Sequence, residues 1–389
     1  MRTSFLWLAA ATLGGTIVIL AQAPAPPGGR PSGLRARPGD GRTPEFPEPT
    51  ITQYKPRSTL KTASHPVPRA KFPVIDIHSH QPAPITEEQF ARVVAGMDAN
   101  NLRLLVNASG TSGDRLVQAV RALRTSKFQG RMVQFTDIDF RNVGPGWAER
   151  VVAQLEADKK AGAVGIGEIS KAFGLRIRKP DGSRLRIDDP ALDPVWAAAG
   201  RLGLPVLIHT AEPQEFFEPI DFQNERWLEL ALYRDRRYPA GEFPRFEELI
   251  GERDRMFAKH PKTTFIAAHF AYHANDLARA AALLDRLPNV HLEVGAILAE
   301  LGRQPRSARA FFVKYQDRVI FGKDSFQPDE FPYFWRVFET DDEYFDYYRD
   351  YHAFWKLYGM GLPDDVLKKL YYKNTLRLVP GLPKDGWPQ

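Results

Sequence analysis

The chain has 389 residues, 43% of them hydrophobic, and no cysteine, so it can build a sizeable core while disulfides, thiolate nucleophiles and thiolate metal ligands are excluded. The formal charge of +6 lies ahead of the folded region: Arg2 stands alone in residues 1–23, residues 24–70 hold eight basic against three acidic side chains, and residues 71–389 carry 44 of each sign. A neutral body offers no basic excess for a phosphate backbone, so no nucleic-acid partner is expected.

At the amino terminus Arg2 precedes the apolar run Phe5 to Leu20 and then Ala21-Gln22-Ala23, which reads as a signal peptide over residues 1–23, cleaved after Ala23. Export to the periplasm or the extracellular space is the expectation, with an uncleaved amino-terminal anchor as the alternative. No later segment has the apolar length of a spanning helix. Residues 24–70 hold eleven prolines and few large aliphatics and read as a Pro-rich linker or arm, the half after Ile51 lying along the domain surface.

From Lys71 onward, over residues 71–389, short apolar runs alternate with helical periodicity. The runs are Phe72–Ile77, Leu102–Val106, Met132–Thr136, Val164–Glu168, Leu204–Ile208, Thr264–Ala268, Val290–Val294 and Val319–Gly322. Thr86-Glu87-Glu88-Gln89 is a capping box that opens a helix with Phe90, Val93, Val94 and Met97 on one face. Further helices are predicted at Arg115–Leu123, Trp147–Lys160, Pro194–Leu202, Asp276–Leu287 and Ser307–Tyr315. Strands that alternate with helices run parallel through right-handed crossovers, and this count predicts an α/β fold, a (β/α)8 TIM-type barrel. Two long βα insertions, Ala211–His260 and Ser325–Gly359, interrupt the rhythm. An open doubly wound sheet is the alternative, but no glycine-rich phosphate fingerprint follows the first strand.

In such a barrel the chemistry sits at the carboxyl ends of the strands. There the sequence places His78 and His80 in "VIDIHSH", Glu168 in "GIGEIS", His209 in "LPVLIHT", His269 in "TTFIAAHF" and Asp324 in "VIFGKDSF". Strand alternation puts His78 and His80 on one face. A lone His-x-His is more often a solvated strand end, and His269 alone reads as a satisfied core group. All six at strand ends point to a divalent metal, because imidazole and carboxylate suit zinc, manganese or iron. Asp76 shares the face of His78 and His80 and either orients an imidazole or is a buried, paired carboxylate. His273, His65, His260, His291 and His352 are expected at the surface.

The set "DIHSH", "GIGEI", "LIH", "AAH" and "FGKDS", with a closing "LPDDVLKKLYYKNTLRL", resembles the amidohydrolase superfamily. The likeness is strongest to the amidohydrolase-related group that includes aminocarboxymuconate semialdehyde decarboxylase and several lactone hydrolases, and it runs from about Phe72 to Leu378. It implies that His78, His80, His209 and Asp324 hold the metal, that Asp324 also serves as general base, and that His269 orients or polarises the substrate. The departure is at strand four. Some relatives carry a carboxylated lysine there and TatD-like nucleases a glutamate, so Glu168, with Lys171 three residues on, leaves one or two ions open, zinc being the expected one.

The resulting expectation is an exported hydrolase whose metal-activated water opens an amide, lactone or ester bond of a small molecule. A non-oxidative decarboxylase of a carboxylated aromatic substrate is the first alternative, followed by a TatD-like nuclease and a non-catalytic metal-binding protein. The aromatic-rich insertions are compatible with a homo-oligomer and, with Arg226, Arg234, Arg236 and Arg237 among them, with an aromatic or carboxylated ligand. No substrate-binding residue is assigned from them.

Overall fold

In the computed structural model residues 46–47, 49–352 and 354–388 are described, so the leader expected over residues 1–23 lies outside the described residues. Eight parallel strands make up the centre: β1 (Val74–Ser79), β2 (Leu102–Asn107), β3 (Met132–Gln134), β4 (Ile166–Ile169), β5 (Val206–Ile208), β6 (Phe265–Ala267), β7 (Val290–Glu293) and β8 (Val319–Ile320). They pair in sequence order as β1-β2-β3 and β4-β5-β6-β7-β8. Two single bridges join these sheets into a closed barrel, Thr136 with Ile166 and Ser79 with Asp324. The seams are hydrogen-bonded, Gly167 N to Thr136 O at 2.7 Å and Asp324 N to His78 O at 2.7 Å. Closure therefore runs through the backbone of two candidate site residues.

Every residue of β1, β5, β6, β7 and β8 is buried, as expected of parallel strands covered by helices outside and filled by side-chain layers inside. The helix over Glu87–Asn100 has the complete capping box at Thr86 and Gln89 and buries Phe90, Val93, Val94 and Met97. Helices follow at Gly113–Thr125, Trp147–Ala161, Asp193–Leu202, Leu277–Arg286 and Pro305–Lys314. The final helical stretch, Asp364–Leu378, accepts the Phe321 amide on Leu370 O at 3.0 Å. Among the described residues no helix is long and apolar enough to cross a membrane.

Two sequence expectations need correction, and one backbone feature was not foreseen. The long insertions contain helices not predicted, at Phe246–Lys259 and Phe331–Glu339; the first buries Phe246, Leu249, Ile250, Met256 and Phe257 at helical spacing. The chain after β6 turns left-handed: His269, Phe270, Ala271 and Tyr272 all have φ between 53° and 58°, which strains each residue. Finally, His273, His291 and His352 are buried at 2%, 4% and 2% exposure, and His260 at 9%. Polar neighbours make burial tolerable for three of them: Arg253 lies against His273, Arg226 and Glu229 against His352, and Asp193 against His260.

The compact unit that holds the barrel begins at Ser58. Residues 58–70 form no helix or strand and are tied down by side chains. His65 remains exposed, as expected, yet its Nδ1 and backbone N reach the two Asp342 carboxylate oxygens at 2.6 and 2.7 Å.

Candidate metal centre

β1 ends so that the His78 and His80 rings stand 5.2 Å apart, centroid to centroid, with their Nε2 atoms 3.3 Å apart. Glu168, at the end of β4, places Oε1 3.3 Å from His78 Nε2 and Oε2 3.4 Å from His80 Nε2. Asp324 follows β8 and places Oδ1 3.4 Å from His80 Nε2 and 3.8 Å from His78 Nε2. Donor atoms held about 2.0–2.1 Å from one tetrahedral ion lie about 3.4 Å from each other. The two imidazoles and Glu168 are thus already spaced as one ion requires, with Asp324 within 3.8 Å of both imidazoles, and the residues fit the divalent metal that the chemistry implies.

A second group shares Glu168. Its Oε1 is 3.0 Å from His209 Nδ1 and 3.6 Å from His269 Nε2, and those two ring nitrogens are 3.1 Å apart. The structure accordingly brings all six sequence-predicted residues together, but sorts them: His209 stands with His269 and Glu168, while His78 and His80 stand with Asp324 and Glu168. His78, His80 and Glu168 make one cluster that could hold a metal ion, and Glu168, His209 and His269 another.

The electrostatics favour a cation there. Burial alone would push Glu168 up, but His78 and His209 beside it hold its carboxyl well below the usual range. Burial likewise opposes charge on His80 and His209, yet carboxylates, Asp324 and Glu168 for the first and Glu168 and Glu212 for the second, raise both imidazoles to about 9. Protons and a metal compete for the same lone pairs in this field.

Local sequence explains the placement. Gly167 has φ of 120°, and a Cβ there would meet Leu207 O at 2.3 Å, so only glycine lets β4 bend Glu168 inward beside β5. At Gly322 a Cβ would come 2.4 Å from Glu293 Oε1 and 2.8 Å from His78 Cβ. The left-handed turn after β6 delivers both His269 and Tyr272 to the centre.

Asp76 is a support: its Oδ1 accepts from the backbone N of His78 and of Lys323, both at 3.0 Å. Burial pushes its carboxyl up to about 7. It orients the His78 main chain rather than an imidazole ring, which decides between the two readings of Asp76.

Three residues, Glu293, Tyr272 and Glu212, escaped the sequence reading, and Lys171, singled out there for its place near Glu168, takes a part that was not foreseen. Glu293, fully buried at the end of β7, lies 3.3 Å from His78 Nδ1 and accepts the His269 amide at 3.1 Å; a carboxylate closing an apolar strand was the available signal. Tyr272 Oη lies 2.7 Å from His209 Nε2 and donates to Glu212 Oε2 at 2.9 Å. Lys171 donates to the other Glu212 oxygen, and with His209 it pulls Glu212, which burial would raise, down to about 2. Nothing in the sequence spacing joins Lys171, Glu212 and Tyr272, which come from three different βα connections.

A cavity of about 190 Å³ opens over this centre, lined by His209, His269, Tyr272, Glu212 and Asp324 together with residues of both long insertions.

The amidohydrolase family model matches residues 75–381, and the chain belongs to that family. Fold, family and site define an enzyme of the amidohydrolase superfamily with a candidate divalent-metal centre. Among solved structures the chain is similar to an uncharacterised TIM-barrel protein of Bordetella bronchiseptica, at 16% identity and a TM-score of 0.49, covering 78% of this chain and 97% of that one. It is also similar to a 2,6-dihydroxybenzoate decarboxylase, at 14% identity and a TM-score of 0.47, covering 79% and 98%. A 4-oxalomesaconate hydratase of Rhodopseudomonas palustris stands at 12% identity and a TM-score of 0.48, covering 79% and 96%. At this distance none of them assigns a reaction. Among curated proteins none matches.

Proposed function

We propose that the chain is a metal-dependent hydrolase acting on an amide, lactone or ester bond of a small molecule. The observation that carries this reading is the unequal exposure of the two carboxylates in the first group. Glu168 is 10% exposed and wedged among four imidazoles, whereas Asp324 is 37% exposed and lines the cavity.

A bound divalent ion, zinc in the first place with manganese or iron as alternatives, would lower the pKa of a water towards about 7 and polarise a carbonyl. The protein's own groups supply the rest. Asp324, held anionic by His80 and His78, is placed to accept the proton of the attacking water and to return it to the leaving group. His269 is fixed by its Nδ1–H, which donates to Gly295 O at 2.9 Å, and this turns Nε2 towards the centre, 3.1 Å from His209 Nδ1. The turn that carries it keeps that geometry against solvent.

Loss of carbon dioxide from a carboxylated substrate would use the same cluster, and product analysis separates the two: a new carboxylate for hydrolysis, carbon dioxide for decarboxylation. The test is elemental analysis of the purified protein with turnover of a panel of esters, lactones and amides. The parent should hold one or two equivalents of metal and a His78→Ala/His80→Ala variant should lose them together with turnover. A parent that takes up no metal after reconstitution would overturn the reading.

A further inference from the structure

Four cationic side chains line the cavity: Lys171, Arg226, Arg236 and Arg349. Three are neutralised by carboxylates. Lys171 donates to Glu212, Arg226 bonds Glu229 at 3.0 Å and Glu300 at 2.9 Å, and Arg236 bonds Glu229 at 2.6 Å. Arg349, half-buried in the insertion after β8, has no carboxylate within ion-pair distance among the described residues. The acid that acts on it is Glu330, which is itself bonded to Lys323 Nζ at 2.6 Å. Its guanidinium lies 5.4 Å from the centroid of the Tyr348 ring, with Tyr347 and Tyr351 also acting on it.

A guanidinium withdrawn from water without a counter-ion is costly unless a ligand supplies one. Most carboxylates of the cavity are already engaged. Glu212, Glu229 and Glu300 are paired, Asp324 belongs to the metal centre, and burial pushes Glu215 towards its uncharged form. We propose that the substrate carries a carboxylate that is not part of the reacting bond, and that Arg349 receives it as a two-pronged ion pair. The planar guanidinium fork matches two carboxylate oxygens, and the same cavity reaches Asp324, so one small molecule spans anchor and centre. The proposal rests on the hydrolase reading only in taking this cavity as the substrate pocket.

The experiment is equilibrium binding, by titration calorimetry on the metal-loaded protein, of benzoate, phenylacetate, glutarate and N-acetylglycine, each against its neutral amide. The wild type should bind at least one acid about tenfold or more tighter than the amide. Arg349→Met should abolish that preference while leaving the amide's affinity unchanged, and Arg349→Lys, a point charge, should keep part of it. A wild type that prefers no acid, or a preference that survives in Arg349→Met because the metal takes the carboxylate, overturns the proposal. Should Arg349→Met not fold, an undiminished preference in Arg349→Lys overturns it. Binding needs no turnover, so a failure of the hydrolase reading shows in the products and not in these affinities.

Discussion

Asp324 and Glu168 are both carboxylates among the same imidazoles, and their surroundings separate what each can do. Glu168 touches both groups of donors and is enclosed by them; Asp324 meets the cavity, where a ligand can reach it. Asp324→Asn keeps an oxygen donor but removes the base, and is expected to lower kcat by about 10²–10⁴-fold with much of the metal retained, which turnover and elemental analysis check together. Tyr272 acts through His209, whose Nε2 it meets at 2.7 Å. Outer partners of this kind set the orientation of a ligand ring, and Tyr272→Phe should weaken metal binding about 10–100-fold, read by titration against a chelating dye. A change in kcat with unaltered metal affinity would remove Tyr272 from this positioning role.

At the scale of elements, the bends at the strand ends decide which side chains enter the centre. β4 turns Glu168 inward only because Gly167 brings its Cα against the backbone of β5. Gly167→Ala meets a carbonyl that cannot move and a φ that L-residues avoid, so a loss of about 3 kcal/mol or more is expected in urea denaturation. The left-handed turn His269–Tyr272 does the same after β6. Part of its stability comes from outside: Arg253 donates to Ala271 O at 2.8 Å from the helix Phe246–Lys259. That helix, unforeseen in the sequence, therefore braces the turn that carries His269.

For the whole molecule, two buried histidines away from the centre link stability to pH. Burial, helped by Arg253 and Arg279, pushes His273 down to about 2, and burial with Arg318 and Arg377 pushes His291 down to about 3. Both are uncharged in the folded state, and His291 Nδ1 is buried without a partner. As pH falls below about 6.5 the unfolded chain binds protons that the folded chain refuses, so stability falls by about 1.4 kcal/mol per pH unit for each histidine until its folded pKa is reached. His291→Gln should lessen that slope by one proton between pH 6 and 4 in denaturation curves. An unchanged slope would mean that His291 is protonated in the folded protein. The imidazoles of the candidate metal centre take up protons as pH falls in both proteins alike, so comparison of the two isolates the His291 contribution.

The barrel was legible because its determinants are local. Eight apolar runs separated by helical periodicity state parallel strands and crossovers, and all eight strands lie where the runs are. The six polar strand ends were legible for the same reason, since closure of a barrel brings the ends of all its strands to one face whatever the loops do. What lay beyond the sequence depends on residues that meet only through the fold. The division of the six candidate residues into two groups around Glu168 is set by ring orientation, which no spacing encodes. Glu293 supports His78 across 215 positions, and the Lys171, Glu212 and Tyr272 contacts join three connections that share no pattern. The buried histidines were misplaced because burial of a polar ring depends on partners such as Arg253 and Arg226 arriving from elsewhere in the chain. The sequence by itself determined the strands, the helices that cap them and the face on which six donors gather. Only the tertiary structure decided which donors touch, which one opens on the cavity and which cation is left without a partner, because those are distances between segments far apart in the chain.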